Sequence, residues 1–175
     1  SAESAVSLGA QITFAGEGVA EFGDGYLTGK AMETRCVCAM LAQMLCEDWE
    51  YDVDVVFTTS ALIMTSGAAN AAFHSVQADD VRGGKSSCCL KKGPVVSLSE
   101  QMAYYDLDLY NKCIQTVEEN DLVCQKMERN TAKTESRSVQ TSCQGVPVLA
   151  LGMPCRYPYS ISAMIAKEDH EKQEL

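Results

Sequence analysis

The sequence predicts an α/β layered domain with a largely parallel sheet, and three observations carry that prediction. Short alternating runs closed by glycine-bearing turns fill the first thirty residues; helical and strand-like patterns then alternate to the end; and two continuous apolar runs, Asp54–Thr59 and Val146–Met153, suit strands covered on both faces.

The opening strands follow from Ala10, Ile12 and Phe14, then Val19 and Phe22, then Tyr26 and Leu27, separated by Gly16-Glu17-Gly18 and Gly23-Asp24-Gly25. From Glu33 the period changes: Val37, Leu41, Met44 and Leu45 recur at three- and four-residue steps toward Trp49, which predicts an amphipathic helix of about four turns. Asp54–Thr59 is β-branched and apolar and predicts a buried central strand. Gly67–Phe73 is rich in small residues that let a helix lie close on a sheet, and Asp79–Lys92 is polar and glycine-containing, hence a loop. Pro94–Leu98 reads as a strand, Glu100–Glu119 as a helix and Leu122–Met127 as a strand. Thr134–Cys143 reads as a weaker helix, Val146–Met153 and Ser160–Ala166 as strands, and Lys167–Leu175 as the start of a charged helix.

Composition narrows the function. The chain has 175 residues, enough for one domain with its own core, and 46% hydrophobic residues against 22% charged is the balance of an ordinary globular protein. Fourteen Lys and Arg against 24 Asp and Glu leave a net charge of −10, so the summed field repels phosphate backbones and anionic lipid; nucleic-acid and membrane partners are not expected. Nine cysteines, an odd number without a secretory segment, fit free thiols in a reducing compartment and predict a cytoplasmic location. The start at Ser1 rather than Met fits a processed end or the edge of a larger protein.

Chemistry is limited by two histidines, His74 and His170, both expected at the surface, and no Gly-x-Ser-x-Gly elbow follows a predicted strand. Cys36-x-Cys38 with Cys46, and the adjacent Cys88-Cys89, form a conceivable thiolate cluster, but on a helix Cys36 and Cys38 point about 200° apart, which suits no single metal ion. Cys36, Cys38, Cys46, Cys113 and Cys124 are expected as small core hydrophobes, and Cys88-Cys89 as the exposed, oxidisable pair. Glu118, Glu119 and Asp121 suit a solvated helix end. Glu33, before a helix, and Asp80, in a loop after the first buried segment, are the carboxylates placed where α/β sites gather.

The order of segments resembles one family. Phe22-Gly23-Asp24-Gly25 followed by Gly29-Lys30-Ala31-Met32-Glu33-Thr34-Arg35 resembles the Gly-Lys-Ala-x-Asp-Asp-Arg helix opening of the dinuclear-zinc aminopeptidases that form tetrahedral shells, some known as endoglucanases. Val56-Phe57-Thr58-Thr59 with Gly67-Ala68 resembles the surroundings of the family's Glu-Glu pair, and Lys92-Gly93-Pro94-Val95-Val96-Ser97 its Gly-Pro strand. Gly145-Val146-Pro147, Pro154-x-Arg156-Tyr157 and Ser160 resemble the last strand and the loop that supplies a metal-binding histidine. The resemblance implies an incomplete three-layer α/β/α sandwich of zinc-peptidase type. Residues 1–28 would be the tail of an inserted β-type dimerisation domain, and residues 29–175 the second part of the peptidase-like domain.

The same resemblance implies a site that this sequence lacks in part. A cocatalytic zinc pair needs carboxylate and histidine ligands and a free Glu as general base. Glu33 and Thr34 stand at the Asp-Asp positions, Ala61 and Leu62 at the Glu-Glu positions, Asp80 at a further Asp ligand and Tyr159 at the late histidine, while the early histidine has no counterpart. Only Asp80 and Glu33 remain as metal ligands. The expected protein is a non-catalytic relative of a metal-dependent aminopeptidase, an assembly or regulatory subunit without a cofactor, working as a homo-oligomer or with a full-length relative. The alternatives are an active zinc-dependent aminopeptidase completed by another chain, with zinc or another divalent metal if the site is retained, and a thiol-based redox or metal-binding module built on Cys36, Cys38, Cys46 and Cys88-Cys89.

Overall fold

A computed structural model describes residues 10, 15, 18–57, 73–80, 87–101, 103–128, 136–141 and 144–171. Among these residues seven strands and four helices form a mixed α/β fold with two linked sheets. The first sheet is antiparallel, in the order β1 (Val19–Phe22), β2 (Tyr26–Gly29), β7 (Ala163–Ala166). The second has the order β3 (Phe73–Gln77), β6 (Ala150–Cys155), β4 (Val95–Ser97), β5 (Gln125–Met127). Here β3 runs parallel to β6 and β4 parallel to β5, but β4 is antiparallel to β6, so this sheet is mixed rather than largely parallel.

The Gly23-Asp24-Gly25 turn closes the first hairpin with both glycines at positive φ, 57° and 74°, where a side chain would be strained. Helix α1 (Met32–Met44) then places Met32, Cys36, Val37 and Met40 on one stripe against Met153 and Cys155 of β6 and Ala163 and Ile165 of β7. The opposite face of the four-stranded sheet buries Val76, Ala78, Val95 and Met127 with Cys88 and Leu90. Strand β6 therefore has cores on both of its faces, as its apolar run implies. It extends to Cys155 through Pro154; β4 pairs only with Ala150–Gly152, so the missing proline amide breaks no ladder on that side.

Several expectations need correction. Asp54–Phe57 forms no strand, and Val56 and Phe57 are 44% and 49% exposed: an apolar β-branched run becomes a strand only where a ladder receives it. Thr58 and Thr59, and Gly67–Ala72 of the expected small-residue helix, lie outside the described residues, while Phe73 begins β3. Helix α2 (Leu107–Glu119) starts later than Glu100 because Asp106 caps it, its Oδ1 accepting from the Leu109 amide at 2.9 Å. Of the weaker helix, Ser136–Gln140 form α3, with 134–135 and 142–143 outside the described residues, and the charged start at Lys167 is α4 (Lys167–Glu171).

Candidate functional site

The parallel neighbours β3 and β6 end together, with Gln77 opposite Cys155 and the Ala78 amide donating to the Cys155 carbonyl at 2.8 Å. The segments leaving the two strands therefore meet at one edge, the usual position of a site in an α/β sheet. From β3 come Asp79 and Asp80; from β6 comes Arg156.

Arg156 Nε donates to Asp80 Oδ1 at 2.7 Å, across 76 residues of sequence. The Leu90 amide donates to Asp80 Oδ2 at 3.0 Å, so both carboxylate oxygens are engaged. The guanidinium hydrogen bond holds the Asp80 carboxyl below its ordinary range despite partial burial, and raises Arg156 in return. Arg156 is itself fixed by paired backbone hydrogen bonds with Met164 of β7, at 2.9 and 3.0 Å. Asp79 organises the neighbouring loop: Oδ1 accepts from the Ser87 and Cys88 amides, each at 3.0 Å, and Oδ2 accepts from Ser87 Oγ at 2.9 Å.

Glu33 approaches the same strand end from α1. It is only 7% exposed, and its Oε2 is buried without a hydrogen-bond partner among the described residues. Its charge opposes ionisation of Cys155 and Cys36, whose thiols burial pushes up to about 12. Glu33 thus borders β6 at Cys155 and Asp80 borders it at Arg156. Tyr159 is 80% exposed with φ at 63°, in the loop between β6 and β7. Ala61 and Leu62 lie outside the described residues.

Asp80 accepts a hydrogen bond on each oxygen, from Arg156 and from the Leu90 amide, and Tyr159 carries no side-chain nitrogen. Among the described residues no group of three His, Cys, Asp and Glu side chains is arranged to hold a metal ion. Of the two expected ligands, Glu33 alone keeps an uncommitted buried oxygen for a cation. His170 is half-buried rather than a surface residue, and His74 lies on β3 with its side chain outside the description.

The cysteine expectations divide. Cys36 is buried as expected, Cys38, Cys113 and Cys124 are half-buried, and Cys46 is exposed on the last turn after α1. Cys88 is fully buried and its thiol is pushed up to about 12, so Cys88-Cys89 is not an exposed oxidisable pair; Asp79 draws the Cys88 amide inward, and Gln125 holds the Cys89 backbone from both sides. The functional pairing that sequence reasoning missed is Arg156 with Asp80. Spacing carries no signal for it, because the two meet only through the β3–β6 register.

Comparison with known proteins accounts for this architecture. The M42 glutamyl aminopeptidase family matches residues 1–174. FrvX of Escherichia coli (strain K12) is 28% identical over 165 residues, covering 86% of this chain and 46% of that protein. An aminopeptidase from the archaeon Desulfurococcus kamchatkensis superposes with a TM-score of 0.80 at 21% identity, over 88% of this chain and 48% of the other. The TET1 peptidase of Pyrococcus horikoshii, which can assemble into a tetrahedron or a large octahedral shell, superposes at 0.67 with 21% identity, over 84% and 47%. The chain spans about half the length of these relatives. Among the described residues no helix is long and apolar enough to cross a membrane.

Proposed function

Because the chain belongs to the M42 glutamyl aminopeptidase family, we propose that it is a non-catalytic relative that serves as an assembly or regulatory subunit. The observation that carries this reading is the Asp80–Arg156 pair: the carboxylate matched to a metal ligand is instead held by a guanidinium and a backbone amide. Ala61 has no proton-accepting atom to replace a general base, Leu62 no donor atom for a metal, and exposed Tyr159 replaces a histidine. Residues 1–28 form the tail of the dimerisation insert and residues 29–175 the peptidase-like part, with a second copy or a full-length relative as partner. Leu45, Trp49, Tyr51, Val53, Val56 and Phe57, all more than two-fifths exposed along one segment, support a surface that a partner covers. A cytoplasmic location agrees with its free thiols.

Purified protein is expected to carry no stoichiometric zinc by elemental analysis and to turn over no aminoacyl chromogenic substrate. Two zinc ions per chain together with turnover would overturn the proposal. A second reading, an active zinc aminopeptidase completed by another chain, draws on the uncommitted Glu33 Oε2. Turnover appearing on addition of a full-length relative, and abolished by Glu33→Gln in this chain alone, would favour it.

A further inference from the structure

We propose that residues 45–57 form a docking surface for a cationic, apolar segment of another protein. Five of the chain's 24 acidic residues, Glu47, Asp48, Glu50, Asp52 and Asp54, interleave here with Trp49, Tyr51 and Val53, and no Lys or Arg occurs between Arg35 and Arg82. Such a run is too charged to enter the protein's own core, yet it holds aromatic and aliphatic area toward water.

The end of α1 fixes the run in place. The Glu47 amide donates to the Met44 carbonyl at 3.2 Å, and Trp49 Nε1 donates to the same carbonyl at 2.7 Å. The indole is thus tied to the helix while 42% of Trp49 stays exposed, two residues before Tyr51 at 77%. The last turn of α1 carries no basic residue, so the negative pole of the helix adds to the five carboxylates instead of being offset. Among the described residues none of these carboxylates has a hydrogen-bond or ion-pair partner, and the ion pairs there engage other acids.

Charge complementarity selects the occupant. The Trp49 and Tyr51 rings offer faces to Lys or Arg, and the carboxylates supply counter-charges. Val53, Val56 and Phe57, each at least 43% exposed, offer area that only an apolar group covers. The same negative field repels nucleic acid and anionic lipid. A second copy of this chain does not match. Meeting through this run on a twofold axis sets carboxylates against carboxylates, and Lys91, Lys126, Arg156 and Lys167 of any copy are already paired with acidic side chains of their own chain. The docking role rests on the proposed function only in that a partner covers this run; a catalytic chain presents it equally.

Trp49 is the only tryptophan in the sequence, so its fluorescence reports on this surface. The intact chain is titrated with a short peptide alternating Lys and Leu, free of aromatic residues, and Trp49 emission is expected to shift saturably to the blue. A peptide alternating Ser and Leu, and spermine, each supply half of the chemistry and are expected to bind about tenfold or more weakly. No shift with the Lys-Leu peptide, or equal affinity for spermine or the Ser-Leu peptide, would overturn the docking role. Combining Glu47→Gln, Asp48→Asn, Glu50→Gln, Asp52→Asn and Asp54→Asn is expected to weaken the Lys-Leu peptide about tenfold or more; unchanged affinity would likewise overturn it. The three probes act on the unaltered chain, so the outcome does not depend on the variant folding. Zinc content and turnover do not enter this readout, so its failure leaves the non-catalytic reading standing, and failure of that reading leaves this result standing.

Discussion

Two apolar stretches of this chain have opposite fates. Along β6, Ala150, Met153 and Cys155 are at most 1% exposed, whereas along 45–57 Tyr51 is 77% exposed and Leu45, Val56 and Phe57 about half. The 45–57 stretch interleaves its apolar residues with five acidic ones, Glu47, Asp48, Glu50, Asp52 and Asp54, whereas β6 carries no charge. Strand β6 also has ladder partners on both sides, β3 and β4, and cores on both faces, while Asp54–Phe57 has no ladder among the described residues. Composition supplies the tendency to be buried; a partner for the backbone decides whether burial occurs, because an unpaired amide taken out of water costs more than a valine side chain returns.

That contrast can be broken from its strongest point. Asp169 on α4 is fully buried and accepts from the Lys91 amide at 2.7 Å and the Gly93 amide at 2.8 Å, tying the loop before β4 to the core. Asp169→Ala removes two charge-assisted bonds and strands two donors, and is expected to cost about 3 kcal/mol in urea unfolding; a loss under about 1 kcal/mol would mean the loop is held by other contacts.

At the strand ends the effect is smaller and carries a pH signature. Arg156 lowers the Asp80 pKa in the folded state, so the stabilisation is fully present above the unfolded carboxylate pKa and fades as pH falls through the lower, folded value. Arg156→Ala is expected to cost about 1 to 2 kcal/mol at pH 7, and to flatten this part of the acid limb below about pH 4. An acid limb unchanged by the substitution would show that Asp80 is stabilised chiefly by the Leu90 amide.

The smallest effect is predicted for the exposed stretch. Phe57→Ser is expected to shift stability by no more than about 0.5 kcal/mol while the isolated chain is studied alone. A loss of about 2 kcal/mol or more would show that this segment packs inside the chain rather than waiting for a partner.

Much of the architecture is legible in sequence wherever one local signal suffices. Helix α1 follows from its 3.6-residue stripe, β4 and β6 from their apolar runs, and the first hairpin from Gly23 and Gly25. Legibility fails where the deciding atom is distant or competes locally. Asp106 captures the Leu109 amide and delays α2 past Ala103, Tyr104 and Tyr105, which no hydrophobic period reveals. Cys88 looks exposed among polar neighbours, yet the Asp79 carboxylate draws its amide inward and leaves the thiol fully covered.

By itself the sequence determined the family and the α/β character, and it fixes that Ala61 and Leu62 carry no proton-accepting or metal-binding side-chain atom, because that depends only on which atoms a residue possesses. Tertiary structure alone decided what Asp80 does. A carboxylate in a loop can hold a metal ion, a solvent shell or a cation from the chain, and the choice belongs to whichever positive group the fold sets at bonding distance. The β3–β6 register brings Arg156 there from 76 residues away.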